Sequence, residues 1–243
     1  MKLVCIGCGP GDPELLTIKA INIIKNVDTI FVPTARLNKP SIALSIVENY
    51  VSNSTKIINL IFPMIKEKES LKNYWKDNAD KIAQEIRSGK RVAYLTVGDP
   101  ALYSTWIYIH RELKTRHTDI EIEIIPGIPS IFAFAAEAKI SLVEGDENLA
   151  VVPACYDLEK VKKTTKACDT IVFLKDGRYF DSVISVLSDT GFSDESQIAI
   201  AQDVSETGNI MEIKKLGELR GKKQPSQTYF SIMVAKKHEK ERN

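Results

Sequence analysis

Two short segments combine glycine, proline and aspartate directly after a run of apolar residues. They are Gly7-Cys8-Gly9-Pro10-Gly11-Asp12 and Gly98-Asp99-Pro100. A glycine-rich turn between a strand and a helix binds phosphate by pointing backbone N–H groups at the anion. Pro10 has no N–H, Asp12 adds a negative charge, and the third glycine comes one residue too early for G-x-G-x-x-G. The first segment therefore does not predict a dinucleotide site.

The same two turns suit a different ligand. Carbonyl and carboxylate oxygens favour a cationic or hydroxyl-bearing molecule, and glycine allows its close approach to the backbone. The competing interpretation is structural, because Asp12 and Asp99 could cap the helices that follow, a common role of aspartate. Turn chemistry alone leaves both interpretations open.

Four cysteines offer another chemistry, which their spacing disfavours. Cys5 and Cys8 form a CxxC, but the chain has no second CxxC, and Cys155 and Cys168 have no histidine nearby. Zinc sites need more ligands than this, and a redox CxxC opens a helix, whereas Cys5 lies inside an apolar run. We expect free thiols and no metal site.

The elements that position the two turns form a repeating strand and helix pattern in the first half of the chain. Apolar runs predict buried strands, the alternation of Ile and Glu at 120–125 predicts a further strand, and apolar residues at helical spacing separate them. The predicted strands are 2–7, 28–33, 56–63, 91–97 and 120–125. This pattern predicts a doubly wound, mainly parallel domain over residues 1–127, with both turns at carboxyl ends of strands.

The second half of the chain predicts a different sheet. The predicted strands are 149–154, 170–175, 197–202, 210–216 and 228–235, with helices near 157–166 and 181–190. The last three strands follow one another without helical spacing, which indicates antiparallel pairing. We therefore expect an α/β protein of two domains, with a mixed sheet over residues 128–243. Residues 236–243 are predicted to be a solvated, charged tail.

Composition excludes several classes of partner. Of 243 residues, 33 are basic and 32 are acidic, so a formal charge of +1 gives no basis for a nucleic-acid or membrane partner. No apolar run approaches the ~20 residues that span a bilayer, and the first residues lack the pattern of a signal peptide. We expect a cytoplasmic protein.

Three segments together resemble the signature motifs of a known family. GCGPGDPELLT at 7–17, GDPALYS at 98–104 and IPGIPS at 125–130 are similar, in this order, to the tetrapyrrole (corrin and porphyrin) methyltransferases, and the similarity extends over the whole chain. FVPT at 31–34, FPM at 62–64, YST at 103–105 and LVEGDENLAVVPA at 142–154 resemble the branch that methylates C20 of precorrin-2 or cobalt-precorrin-2.

The resemblance implies a homodimer whose subunits have two α/β domains and bind S-adenosylmethionine in the cleft between them, releasing S-adenosylhomocysteine. The methionine part, ribose and sulfonium would contact Pro10, Val97, Gly98, Asp99, Leu102, Tyr103, Ser104, Ser130 and Ile131. The adenine would contact residues of the second half: Ala154, Cys155, Lys175, Asp203 and Val204. Pro129 departs from many relatives, which have a small hydroxyl residue there.

The resemblance also implies which chemistry the chain need not supply. A sulfonium methyl group is already activated, so no enzymic nucleophile is required. Carbon C20 of the reduced tetrapyrrole would attack the methyl carbon in line and then lose its proton. Orientation and exclusion of water would carry catalysis, with Asp99 and Tyr103 in orienting roles and no assigned general base. The histidines His110, His117 and His238 are interpreted as surface residues.

A tetrapyrrole carries acetate and propionate carboxylates, which a nearly neutral protein must bind with local cations. The candidates are Arg36, Lys39, Lys66, Lys68 and Arg178. For each of them taken singly, an ordinary solvated side chain is the favoured interpretation. Two other functions stay open: methylation at another tetrapyrrole position, on uroporphyrinogen III or a later precorrin, and binding of a tetrapyrrole without catalysis.

Overall fold

Two five-stranded sheets organise the chain in a computed structural model. The structure describes residues 1–35, 40–63, 65, 67–153, 155, 157–174, 179–202, 211–221 and 231–237. The chain divides into two compact units, Met1–Ser130 and Ile131–Asn243. The sequence analysis places the division slightly earlier, after residue 127.

The first unit alternates strands with helices. Its strands are β1 Lys2–Gly7, β2 Thr29–Thr34, β3 Lys56–Ile61, β4 Val92–Thr96 and β5 Glu121–Ile125. Its helices are α1 Ile18–Ile24, α2 Ile42–Val47, α3 Lys68–Arg87 and α4 Trp106–Arg116, with short 3-10 helices at Pro13–Leu15 and Glu48–Tyr50. The strand order is β3-β2-β4-β1-β5, and each strand pair is parallel. The predicted doubly wound parallel sheet is confirmed.

Hydrophobic cores cover both faces of this sheet. Ile6, Ile30 and Val32 pack with residues of α1 and α2. Leu3 and Phe31 pack with residues of α3 and α4. Successive strand residues point to opposite faces, so β2 supplies Phe31 to one core and its two neighbours to the other. Because helices cover both faces, the strand ends are where this sheet can meet a ligand.

The hydrogen-bond ladder between β2 and β4 stops before either strand ends. β2 pairs with β3 from Thr29 to Thr34, but it pairs with β4 only as far as Phe31. Pro33, which has no backbone N–H to donate, lies just beyond this point. The carboxyl ends of these two neighbouring strands are therefore not joined by a ladder.

The second unit contains a mixed sheet. Its strands are β6 Leu149–Val152, β7 Thr170–Leu174, β8 Gln197–Gln202, β9 Met211–Lys215 and β10 Ser231–Lys236, in the order β6-β7-β10-β8-β9. β6 pairs with β7 in parallel, and the other pairs are antiparallel, as predicted. The helices are α5 Ser130–Ala138, α6 Leu158–Ala167, α7 Phe180–Ser188 and the unpredicted α8 Leu216–Leu219. Within the described ranges, no helix combines the length and apolar character that crossing a bilayer requires.

Candidate functional site

Three turns lie side by side at one edge of the first sheet. They follow β1, β4 and β5, which are neighbours in the strand order. Parallel strands end at the same edge of a sheet, so topology brings the three motifs together. The first two turns are also hydrogen-bonded to each other: Gly98 N–H donates to Gly9 O at 2.7 Å, and Gly9 N–H donates to Gly98 O at 3.3 Å.

Glycine is required where these turns touch. A Cβ atom on Gly127 would lie 2.3 Å from Gly98 O and 2.7 Å from the carbonyl carbon of Gly7. A Cβ atom on Gly7 would lie 2.6 Å from Gly127 N. Gly98 needs glycine for its backbone conformation, with φ at 70°. A Cβ atom there would meet nothing closer than Pro129 Cα at 4.0 Å, so at Gly98, which is buried, it is the backbone conformation and not crowding that requires glycine.

The Asp99 carboxylate links the turn after β4 to the turn after β5 by hydrogen bonds. Its Oδ1 accepts the N–H of Ala101 at 2.7 Å, and its Oδ2 accepts the N–H of Gly127 at 3.0 Å. Asp12 acts only locally, because its carboxylate accepts the N–H of Glu14 at 2.8 Å and caps the 3-10 helix that follows. The capping interpretation thus holds for Asp12. Asp99 caps no helix, since α4 begins only at Trp106, and instead links the β4 turn to the β5 turn.

Two apolar side chains lie exposed beside these turns. Val97 is 39% exposed and Tyr103 is 50% exposed. Tyr103 has a φ of 50°, in the left-handed region that residues with bulky side chains rarely adopt. Such strain persists where the surrounding structure enforces it, and it clusters at ligand sites. Val97 and Tyr103 therefore supply apolar contact surface at the edge where the motifs meet.

The other residues predicted to contact the methionine part, ribose or sulfonium differ in their accessibility. Ser104 is buried, and its Oγ lies 2.7 Å from Thr96 Oγ1 and accepts the N–H of Trp106 at 3.1 Å. Its side chain therefore organises the turn itself. Pro10 and Ile131 are buried, and Leu102 and Ser130 are half-buried.

Cysteine does not supply a nucleophile at this edge. No cysteine of the described residues is in a disulfide, and Cys5 and Cys8 are completely buried. Burial raises the pKa of the Cys8 thiol to about 12 and that of Cys5 well above its usual range. In the described part of the chain, no group of three or more His, Cys, Asp or Glu side chains could hold a metal ion.

Two histidines lie away from the turns, and one prediction about them is wrong. The His117 side chain, expected at the surface of a polar loop, is only 11% exposed. Its Nε2 lies 2.7 Å from Asp80 Oδ1, and its Nδ1 lies 3.2 Å from Arg87 Nη2. His110 stacks on Trp106, and burial lowers its pKa. Neither histidine is at the carboxyl end of a strand, so neither joins the candidate site.

Many predicted residues fall outside the part of the chain that the structure describes. They are Arg36, Lys39, Lys66, Ala154, Lys175, Arg178, Asp203, Val204 and His238, together with the side chain of Lys68. Their proposed roles stay predictions. Cys155 is described, and it is buried in the core of the second unit with Phe173 and Met233.

A buried lysine that the sequence analysis assigned to a solvated tail fixes the segment before β6. The Lys236 side chain is 6% exposed, and its Nζ lies 3.3 Å from Ser141 O and 3.5 Å from Glu147 Oε2. That carboxylate also accepts the N–H of Glu144 at 2.9 Å. The tail prediction is wrong for Lys236 because this residue ends the central strand β10, which pairs it with Thr170.

The motifs and their geometry define a class of protein, and comparison with known proteins identifies it. A family model for Tetrapyrrole (Corrin/Porphyrin) Methylases matches residues 2–220. The chain belongs to this family, which confirms the predicted resemblance.

Two relatives are more specific. The chain is 47% identical over 174 residues to the probable cobalt-precorrin-2 C20-methyltransferase of Methanocaldococcus jannaschii, with 72% of each chain covered. It is 30% identical over 190 residues to the cobalt-precorrin-2 C20-methyltransferase of Salmonella typhimurium, covering 78% of this chain and 79% of that protein.

Solved structures share the fold. A cobalt precorrin-4 methyltransferase superposes with a TM-score of 0.73 at 20% identity, over 97% of this chain and 94% of the other. Uroporphyrin-III C-methyltransferase from Thermus thermophilus, complexed with S-adenosylhomocysteine, gives a TM-score of 0.66 at 17% identity over 97% of each chain. The chain therefore has the tetrapyrrole methylase fold.

Proposed function

We propose that this protein transfers a methyl group from S-adenosylmethionine to C20 of cobalt-precorrin-2 or precorrin-2, in the biosynthesis of cobalamin. The observation that carries the proposal is the joining of three family motifs into one edge of the first sheet, through Gly7, Gly98, Asp99 and Gly127. The names of the relatives at 47% and 30% identity support the C20 position.

The described residues fit the methyl donor, which supplies a methyl group activated by the positive charge of a sulfonium. Gly98 has no side chain to keep a ligand away from the turn, and the carbonyl and carboxylate oxygens of the turns favour a cation over a phosphate. Pro10, Val97, Gly98 and Asp99 would bind its methionine part and ribose. Tyr103 would lie against it through exposed apolar surface, and Ser104 would contribute only backbone, since its hydroxyl is committed.

Leu102 would extend the contact made by the Val97, Gly98 and Asp99 turn, and Ser130 and Ile131 would lie near the sulfonium. In the transfer, the electron pair of C20 forms the new carbon–carbon bond while the sulfur–methyl bond breaks with its electrons retained by sulfur, and C20 then loses a proton. The protein contributes orientation and exclusion of water. Asp99 acts as a positioning residue, because each of its carboxylate oxygens already accepts a backbone N–H.

We also propose, from the family resemblance alone, that the protein is a cytoplasmic homodimer. Light scattering on the purified protein measures the oligomeric state directly. A monomer at micromolar concentration would contradict the dimer without affecting the proposed reaction.

The reaction is tested by calorimetry and mass spectrometry. We expect S-adenosylmethionine and S-adenosylhomocysteine to bind, and precorrin-2 to gain the mass of one methyl group in place of hydrogen. Metal-free and cobalt-loaded precorrin-2 are offered side by side, and NMR of product made from an isotope-labelled methyl donor locates the new carbon. Binding without mass gain would indicate a non-catalytic tetrapyrrole-binding protein, and a label away from C20 would indicate another branch of the family.

A further inference from the structure

Two hydroxyl groups lie on β4, a strand whose five residues are all buried. They belong to Tyr94 and Thr96, which are 0% and 4% exposed. Phenylalanine and valine suit a buried strand at least as well, and a buried hydroxyl destabilises the fold unless it is hydrogen-bonded. The presence of two polar groups here therefore requires an explanation, which their partners supply.

Both hydroxyls are hydrogen-bonded to the segment that leads from the β4 turn into α4. Tyr94 Oη lies 3.0 Å from Thr105 Oγ1, and Thr96 Oγ1 lies 2.7 Å from Ser104 Oγ. Residues 94 and 96 point to the same face of the sheet, so β4 contacts two consecutive residues of the segment. Burial raises the pKa of Tyr94, which keeps its hydroxyl protonated and able to donate.

The partners in the segment do not serve as ordinary helix caps. Thr105 occupies the N-cap position of α4, yet within the described residues its side chain caps no N–H. Ser104 Oγ accepts the N–H of Trp106 at 3.1 Å in addition to its contact with Thr96. The segment is therefore attached to β4 through two side chains that directly follow Tyr103.

Tyr103 needs such attachments, because its backbone conformation is unfavourable. Its φ of 50° is in the left-handed region, which a residue with a bulky side chain adopts only where its surroundings enforce it. Before Tyr103, the N–H of Leu102 donates to Asp99 O at 3.2 Å, and the Asp99 carboxylate accepts the N–H of Gly127. The segment is thus held on both sides of Tyr103, whose own side chain stays 50% exposed.

We propose that Tyr94 and Thr96 are positioning residues for methyl transfer, which hold Tyr103 in its strained conformation through Thr105 and Ser104. The inference rests on the proposed function, in which the Tyr103 side chain lies against the methyl donor. Both hydroxyls are buried, so they act through Tyr103 and not by contact with the ligand. When the conformation that binds is only partly populated, the apparent affinity falls by its fractional population.

The test compares full-length wild type with Tyr94→Phe, Thr96→Val and the double variant. Calorimetry measures the affinity for S-adenosylhomocysteine, and thermal unfolding measures the melting temperature. Without the two hydroxyls, Tyr103 can relax from a conformation that is disfavoured roughly tenfold, so we expect the double variant to bind about tenfold more weakly. Thr96→Ser keeps the hydroxyl and should keep the wild-type affinity.

A second background separates this role from general support of the fold. Tyr103→Gly removes both the side chain and the strain, because glycine adopts a positive φ freely. In this background, loss of the two hydroxyls should no longer change the affinity for S-adenosylhomocysteine, although it should still change the melting temperature. An equal loss of affinity in both backgrounds would show that the hydroxyls support the fold without positioning Tyr103.

Thr29→Val is the matched control at the opposite edge of the same sheet. Thr29 begins β2, is 1% exposed, and its Oγ1 donates to Glu85 Oε2 at 3.1 Å. Its loss should leave the affinity for S-adenosylhomocysteine unchanged. If wild type binds this ligand and the Tyr94 and Thr96 double variant binds it equally well, the positioning role is wrong and the proposed function stands. If wild type does not bind it, both proposals fail.

Discussion

At the scale of single residues, Asp99 holds two turns of the candidate site together. Each carboxylate oxygen accepts one backbone N–H, from Ala101 and from Gly127. Asp99→Asn leaves one acceptor and turns an NH2 group toward the other N–H donor. We expect the free energy of unfolding to fall by about 1–3 kcal/mol and S-adenosylhomocysteine to bind more weakly, as measured by urea unfolding and calorimetry.

The first turn offers a matched control. Asp12→Asn makes the same change at an exposed residue that caps only Glu14 N–H, and asparagine caps as well as aspartate. This variant should differ from wild type by less than about 0.5 kcal/mol. Wild-type affinity and turnover in Asp99→Asn would show that the positioning role is wrong.

Gly127 tests whether the turns must touch. Gly127→Ala would place Cβ 2.3 Å from Gly98 O, so one backbone must move. We expect destabilisation of about 1–3 kcal/mol, typical of overpacking, together with loss of S-adenosylhomocysteine binding. Gly191→Ala is the control, because it strains a left-handed glycine with open space around it in the second unit. If both variants keep ligand affinity, the contact between the turns is not needed for binding.

At the scale of elements, helix α5 ends in a strained residue. Lys139, the residue after Ala138, has a φ of 55°, and the N–H groups of Lys139 and Ile140 donate to Ala136 O and Ala135 O in a Schellman motif. Glycine adopts this conformation without strain, so Lys139→Gly should stabilise the protein by up to about 1 kcal/mol. Thermal unfolding measures the gain. Lys139→Ala should show none, and an equal gain in both variants would rule out backbone strain as the cause.

Most strands and helices were predictable because their apolar residues recur with the period of a strand or of a helix. The run from Val92 to Thr96 is completely buried and was predicted as a strand from its continuous apolar residues, whereas β5 was predicted from the alternation of Ile and Glu. Short elements were missed, since α8 has only four residues and no apolar period. The burial of Lys236 was missed because it follows from the central position of β10 in the second sheet. A charged residue near the end of the sequence gives no sign of that position.

The motifs of the site were predictable, but their contacts were not. Sequence order alone does not place β4 between β2 and β1, and this order makes the Gly9 and Gly98 turns neighbours. The bond from Gly127 N–H to Asp99 depends on the same order. Spacing therefore predicted which residues belong to the site, whereas topology determines which of them touch.

At the scale of the whole molecule, charge stabilises the fold through local pairs. The formal charge of +1 cannot concentrate an anionic substrate, so substrate carboxylates would have to be recognised by local groups. Among the described pairs, Glu123 on β5 joins three elements, with Lys19 Nζ of α1 at 2.5 Å and Lys2 Nζ of β1 at 2.8 Å.

These pairs predict how stability depends on pH. Hydrogen bonds from Lys19 and then Lys2 lower the pKa of Glu123 from 4.5 to about 2. A carboxylate whose pKa is lower in the folded state stabilises the fold above its unfolded pKa and loses this effect as pH falls. The difference in unfolding free energy between wild type and Glu123→Gln should therefore be full above pH 4.5 and shrink toward pH 2.

Urea unfolding at several pH values measures this difference, and high salt should reduce it, because the pairs are partly exposed. A difference that does not vary with pH would contradict the pairing.

The close packing of Gly7 against Gly127 has a consequence for the order in which this protein folds. Gly7 ends β1, which is synthesised before the other strands of its sheet, whereas Gly127 follows β5, the last strand of the same sheet in chain order. Closing such a long loop costs entropy and is slow, so contacts of this type form late. The contacts around the first turn are therefore incomplete until β5 has been synthesised and has paired with β1. A nascent fragment that ends before β5 lacks Gly127 and its contact with Gly7. We therefore expect ligand binding only after the whole first unit has been synthesised and folded.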